Sequence, residues 1–238
     1  MSGRETVIVL GGTSGIGLAT AQRMADAGAR VVVAGRDPAK LAAALAQLGG
    51  DAGGEPLDAG DRVALDAFFA RSGRIDHLVL AFSGGEGGGA FRDLDLSALR
   101  RGFDAKFWPQ VSAAQAALPA MRPDGSITFL TSISARMANP GTAGLAAING
   151  AIEAMLGALA RELAPLRVNA VAPGVVDTAW WDRLPAAAKQ RVFAEQARML
   201  PVGRVGRADE VAQAVQFLAG NGFVTGTVLE CDGGLHLH

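Results

Sequence analysis

The stretch Gly11-Gly12-Thr13-Ser14-Gly15-Ile16-Gly17 places glycines in a G-x-x-x-G-x-G pattern. Glycine lets backbone approach a diphosphate closely. A helix N-terminus beyond it offers free N–H groups and the positive end of a dipole. Alone such a turn is a weak signal. It gains force from its place between an apolar run at 6–10 and an amphipathic stretch at 16–26. The chemistry it suits is binding of a dinucleotide pyrophosphate. A second apolar run ends at Gly35-Arg36-Asp37. An acid at this place suits a ribose 2′-hydroxyl, whereas a cation suits a 2′-phosphate, so Arg36 favours NADP(H) over NAD(H). The competing reading of Arg36 is an ordinary exposed arginine ahead of a helix. Asp58, after a third run, suits the amide edge of an adenine. Its rival use is to cap the next helix, a role for which Asp61 competes.

The elements that must hold these residues are legible as an alternation. Short apolar runs at 6–10, 30–34, 54–57, 77–81, 126–130, 167–171 and 227–230 alternate with helical patterns at 16–26, 38–48, 61–72, 96–119, 143–163 and 207–218. That order predicts an α/β fold, a doubly wound parallel sheet of about seven strands with helices on both faces. Val31-Val32-Val33 has the unbroken apolar character of a strand buried on both sides. The longest irregular stretch, 175–185, holds Trp180-Trp181 and reads either as a lid or as a packed surface loop.

Composition narrows the function classes. The chain has 238 residues, 50% of them hydrophobic, enough for one large domain spanning 1–238. A net charge of -1 gives no electrostatic case for nucleic acid or a membrane surface. No apolar run approaches the length that spans a bilayer, and no basic-then-apolar leader precedes the first strand. The single cysteine, Cys231, permits no internal disulfide, which fits a reducing cytoplasm. His77 reads as a core or surface histidine, and His236 and His238 have no metal-site spacing.

Taken together, these stretches resemble the short-chain dehydrogenase/reductase family. The resemblance rests on the glycine loop, on Ile75-Asp76-His77-Leu78-Val79, and on Ser132 at the end of the fifth strand. It rests further on Leu159-Ala160-Arg161-Glu162-Leu163 running into Arg167-Val168-Asn169-Ala170-Val171-Ala172-Pro173-Gly174, with Thr178 following. Gly203-Arg204-Val205-Gly206, Asp209-Glu210-Val211-Ala212, Thr225-Gly226 and Asp232-Gly233-Gly234 complete it. The last two groups are long and specific, and the resemblance covers nearly the whole chain. It implies a single-domain Rossmann fold, an NAD(P) cofactor, a small carbonyl or alcohol substrate, and commonly a homotetramer. It implies a cofactor site built from Gly11, Thr13, Ser14, Gly15, Ile16, Gly17, Arg36, Asp58 and Ala81. Pro173, Gly174, Val176 and Thr178 would hold the nicotinamide end.

One departure bears on the chemistry, for the chain contains no tyrosine. Enzymes of this family use a serine, a tyrosine, a lysine four residues later, and an asparagine from the preceding long helix. The tyrosine passes a proton to the oxygen that becomes an alkoxide. Ser132 matches the serine, with Ser134 a weaker candidate. Leu145 stands where the tyrosine belongs and Asn149 where the lysine belongs, a register held by Leu159-Ala160-Arg161-Glu162. Lys106 takes the place of the helix asparagine, and Leu80-Ala81-Phe82-Ser83 replaces the usual Asn-Asn-Ala-Gly. Asn149 can still hydrogen-bond a ribose hydroxyl. Lys106 is expected to restore the missing cation from another helix, with its pKa lowered by burial. A lysine pointing to solvent or to a subunit interface is the competing reading. Arg136 and Asn139 are candidates to face the substrate, Glu86 reads as a solvated loop charge, and Trp108, Trp180, Trp181 and Phe82 are candidate pocket walls. Helix-core packing is the alternative for Trp108. Three functions stay open: an NADPH-dependent oxidoreductase with a non-tyrosine proton donor, a non-redox cyclase or isomerase on the same scaffold, and an inactive nucleotide-binding protein.

Overall fold

The computed structural model describes residues 4–237. Seven parallel strands stand in the order β3-β2-β1-β4-β5-β6-β9. They are β1 (Thr6–Leu10), β2 (Arg30–Gly35), β3 (Gly53–Pro56), β4 (Ile75–Leu80), β5 (Met121–Leu130), β6 (Arg167–Pro173) and β9 (Val228–Cys231). The chain leaves β1 outward to β2 and β3, then returns to add β4 on β1's other side. The switch point therefore lies between β1 and β4, where α/β sheets open a crevice at their carboxyl ends.

Strand periodicity divides the core into two layers. Val7 and Val9 face one side of β1 and Ile8 and Leu10 the other, all buried. On the first side α1 (Gly15–Asp26), α2 (Pro38–Leu48) and α8 (Ala208–Gly220) cover Val31, Val33, Val79 and Val171 with Ala21, Met24, Leu41, Val215 and Leu218. On the second side lie α3 (Arg62–Ser72), α5 (Trp108–Ala117) and α6 (Ala143–Glu162). They bring Leu65, Phe68, Ala113, Ile152 and Leu156 onto Leu78, Leu80, Ile127 and Phe129.

Polar groups lock the connections. Arg167, buried at the start of β6, donates to the carbonyls of Leu218 (2.6 Å) and Ala219 (2.5 Å), satisfying the C-terminal end of α8. Asn169, fully buried, donates to the Val224 carbonyl and accepts from the Thr227 N–H, bracing the turn into β9. Glu210 accepts from the Arg207 N–H and pairs with Arg204 at the start of α8. Several residues that carried the sequence resemblance thus hold the fold.

Four expectations need correction. The helical pattern at 96–119 is α4 (Leu96–Gly102), a π-type turn at Phe103–Phe107, and α5. The stretch at 175–185 is ordered as β7 (Val176–Asp177), which pairs with β8 (Gly206–Arg207), and a 3₁₀ turn at Ala179–Arg183. A helix the apolar pattern did not reveal, α7 (Ala186–Met199), follows it. It has no fully buried residue, so it lacks the apolar stripe that periodicity detects. Finally, α6 is 20 residues long and apolar enough to cross a membrane by length and composition. Here it packs beside β6 and buries Ile148, Asn149, Ile152 and Leu156.

Candidate active site

The glycine loop lies at the switch point. Gly11 has φ +78° and donates to the Ala34 carbonyl, and a side chain there would strike the Ala81 carbonyl. A side chain on Gly17 would run into the carbonyl of Gly11, so only glycine lets α1 start this close to β1. Ala81, just past β4, is fixed by its N–H to the Leu10 carbonyl at 2.8 Å. Ser14 is the N-cap of α1, but its side chain makes no cap bond. Gly35 leaves room for Thr13, whose Oγ1 would be 3.0 Å from an added Cβ. Arg36 is exposed and, among the described residues, has no hydrogen-bond or ion-pair partner. Asp37 beside it is committed: its Oδ1 accepts from the Ala39 and Lys40 N–H groups and caps α2. Asp58 accepts from the Gly60 N–H in a local turn, while Asp61 caps α3.

The loop after β6 reaches the same edge. Gly174 approaches Asp232 so closely that a Cβ would lie 2.8 Å from its Cα. Val176 is buried, and Thr178 lies 3.5 Å from where a Gly15 side chain would be. The 3₁₀ turn then crosses to the loop after β4: the Trp180 indole N–H donates to the Gly84 carbonyl at 3.2 Å. Trp181 stacks edge-on between Trp180 and Phe193 of α7 and donates to the Val176 carbonyl. These contacts tie 175–185 to the loop after β4 and to α7. Phe82 packs against the core. Trp108 neither walls a pocket nor enters the core, being 55% exposed on the outer side of its helix against Phe107.

The π-type turn aims Lys106 inward. Its side chain is buried, and Nζ donates to the Thr131 carbonyl at 2.9 Å, one residue before Ser132. Burial lowers its pKa to about 8, against the opposing pull of Glu153. One turn further on, Gln110 donates to the Leu130 carbonyl at 3.1 Å. Ser132 stands at the end of β5, where its Oγ accepts from the Ser134 N–H at 3.3 Å. From α6, Asn149 donates to Ser134 Oγ at 3.2 Å and to the Leu145 carbonyl at 2.9 Å, while its buried Oδ1 has no partner. Leu145 lies on the same helix, against the loop at Gly88.

Other candidates are drawn elsewhere. Arg136 does not face a pocket: it pairs with Glu153 at 3.1 Å and with Glu230 at 2.7 Å. Asn139 lines an open, largely apolar cleft of about 430 Å³ with Phe91, Met137 and Thr142. Glu86 is an exposed partner of Arg101. His77 is buried in β4, 2.8 Å from Ser126 Oγ, and burial lowers its pKa. His236 pairs with Asp232, and His238 lies outside the described residues. Among the described residues no cluster of His, Cys, Asp and Glu could hold a metal. Sequence reasoning missed Glu153 and Thr131. The available signal was spacing, since Glu153 follows Asn149 by four residues and shares its helix face.

Comparison with known proteins agrees with this architecture. The profile of the enoyl-(acyl carrier protein) reductase family matches residues 11–236. The cis-4-hydroxycyclohexanecarboxylate dehydrogenase of Sinomonas cyclohexanicum is 33% identical over 97% of this chain and 96% of its own. A small-chain dehydrogenase solved in complex with NADPH superposes with a TM-score of 0.88 at 34% identity, covering 99% of this chain and 100% of that one. A short-chain oxidoreductase of Pseudomonas aeruginosa PAO1, solved with NADPH and containing an atypical catalytic centre, gives a TM-score of 0.90 at 29% identity, covering 98% and 97%. Switch-point glycine loop, strand order and full-length similarity agree, and the chain belongs to the short-chain dehydrogenase/reductase family of oxidoreductases.

Proposed function

We propose that the protein is an NADP(H)-dependent oxidoreductase acting on a small carbonyl or alcohol, with Lys106 in place of the family's tyrosine–lysine pair. The observation that carries this reading is the buried ammonium of Lys106 on the Thr131 carbonyl, next to Ser132, in a chain without tyrosine. The residues fit the dinucleotide. The glycine cradle would be filled by any Cβ at Gly11 or Gly17, and the uncapped start of α1 faces the same crevice. The partnerless Asn149 Oδ1 suits a ribose hydroxyl donor. Arg36 is free to take a 2′-phosphate, since Asp37 is spent on its helix cap. Asp58 and Ala81 flank the adenosine and pyrophosphate ends. Pro173, Gly174, Val176 and Thr178 form the wall for the nicotinamide.

When bound, NADP(H) supplies or accepts the hydride. Ser132 keeps its hydroxyl hydrogen for the substrate oxygen, because its own lone pair already accepts from Ser134. Lys106 gives that oxygen a proton as it becomes an alkoxide, and recharges from solvent. A pKa of about 8 suits an acid working near neutral pH. In the reverse direction the neutral amine takes the alcohol proton. Trp180 and Trp181 close the site from water. The same reading makes the protein a cytoplasmic homo-oligomer, with Cys231 unreactive because burial raises its pKa.

Lys106→Met is the test, since it keeps the apolar stem and removes the charge. Turnover of NADPH with a panel of small ketones should fall by at least a hundredfold, order of magnitude for a lost general acid, and tryptophan quenching should show weaker NADPH binding. Wild-type turnover in the variant would sink the reading. NADPH binding with no consumption by the wild type on any carbonyl would favour a non-redox or inactive protein.

A further inference from the structure

Thr131 is gripped at two ends. Its backbone carbonyl receives the Lys106 ammonium at 2.9 Å. Its hydroxyl donates to Glu153 Oε1 at 2.9 Å, on a carboxylate 11% exposed. The second carboxylate oxygen of Glu153 meets Arg136 Nε at 3.1 Å. Arg136 continues to Glu230 on β9 at 2.7 Å, and Glu230 and Asp232 both face His236, at 3.4 and 2.8 Å. The interior cation is thus joined through one residue to a line of charges that ends at the surface. Neither the family comparison nor the reaction chemistry assigns a task to Glu153.

We infer that Glu153 is a positioning residue, whose carboxylate keeps Lys106 charged and holds the Thr131–Ser132 corner in place from behind. The physical reason is dielectric. A buried ammonium loses its hydration, and a single carbonyl replaces only part of it. Glu153 supplies the negative charge that Lys106 feels, and its effect is to raise the lysine's pKa against burial. Arg136 opposes it at one remove, and Glu230 tempers Arg136. On Lys106's own turn, Asp104 is exposed. Asn149, one turn before Glu153 on α6, carries no charge, so Glu153 is the acid that α6 brings to the corner. The inference rests on Lys106 being the working cation of the site, and its consequence is a setting of the pH range in which Lys106 can give a proton.

Lysine is rare here, at positions 40, 106 and 189. In protein labelled with ¹³C-lysine, three Cε resonances can be titrated without any cofactor, and Lys106→Met identifies the one at issue. Glu153→Gln keeps an acceptor for Thr131 and removes the charge, and should move the Lys106 midpoint down by about one unit. Glu153→Asp should restore most of it. Arg136→Gln, at a more exposed place, should move it up and serves if the glutamine variant does not fold. An unmoved midpoint in both Glu153→Gln and Arg136→Gln overturns the inference. The two readings fail separately. If Glu153→Gln shifts the Lys106 titration but Lys106→Met leaves turnover intact, the proposed function falls and only the charge coupling between Glu153 and Lys106 stands. If Lys106→Met abolishes turnover and the titration does not respond to Glu153, this inference falls alone.

Discussion

Lys106 is a cation that the fold charges for keeping. Its pKa is lowered from 10.5 to about 8, so between those values the unfolded chain holds a proton that the native chain has released. Native stability therefore rises with pH across that window, and the full penalty applies below about pH 8. The shift corresponds to about 3 kcal/mol, offset by about 1 kcal/mol for the bond to Thr131. Lys106→Met should accordingly stabilise the cofactor-free protein near neutral pH by about 2 kcal/mol, and the gain should vanish by about pH 10. Urea unfolding of both proteins at the two pH values checks this. A variant less stable than wild type at neutral pH would mean that the ammonium is a net structural anchor. Arg36 makes a separate test. A charge-assisted contact to a 2′-phosphate of about 1.5–3 kcal/mol gives roughly a tenfold to hundredfold preference for NADPH over NADH. Arg36→Ala should erase that preference, and an unchanged affinity ratio would refute the assignment.

At the scale of elements, α6 and the π-type turn act together. An inserted residue in the long helix turns Lys106 toward β5, and the turn packs against α6, which carries Leu145, Asn149 and Glu153. The polar chemistry of this corner is laid out for a cation on one helix and an acid on the other. Leu145→Tyr with Asn149→Lys restores the family's side chains at those positions. It also puts a second ammonium beside the first and removes the amide that binds Ser134. The double variant is expected to lose stability and to reduce simple ketones slowly, because two like charges in a desolvated site repel. Steady-state rates with NADPH decide the matter. Fast reduction by the double variant would mean that the pocket is an ordinary one and that Lys106 does not share it. The 3₁₀ turn belongs to this scale as well, since Trp180 spans two loops with one hydrogen bond and its own packing.

The whole molecule gathers its chemistry at one edge. The strand order opens the crevice between β1 and β4, and the loops after β1, β4, β5 and β6 converge there. The opposite edge holds a mixed cluster of Arg4, Glu5, Arg74, Asp76, Arg122 and Asp124, in which Arg122 pairs with Asp76 and Asp124 while Arg4 pairs outside it with Asp51. On the outer face, Leu96 is 59% exposed and Trp108 55%, and α6 exposes a row of small apolar residues that includes Ala143, Ala147, Ala154 and Ala158. We propose that this face meets a second copy rather than a bilayer, because α6 also carries the buried Asn149 and the largely buried Glu153. The expected species is a homotetramer. Light scattering at micromolar concentration tests it, and a monomer mass would refute it. Trp108→Glu should then weaken the assembly without changing the far-UV spectrum of the fold.

How much of this was legible beforehand follows from the range of each interaction. Strands buried on both faces, glycine punctuation and helix caps are local, and their patterns placed seven strands and the glycine loop within a few residues. The Asp37 cap of α2 went unread, although the N–H groups it accepts from lie only two and three residues on. α7 escaped because an exposed helix needs no apolar stripe. Glu153 escaped, and Arg136 was misread as facing the substrate, because their roles depend on residues from 17 to 94 positions away meeting at one corner. The absence of tyrosine was a fact of sequence alone. Whether Lys106 faced solvent or the interior was a tertiary matter, decided by a π-type turn whose geometry no local pattern encodes and by the desolvation that follows when β5 closes over its ammonium.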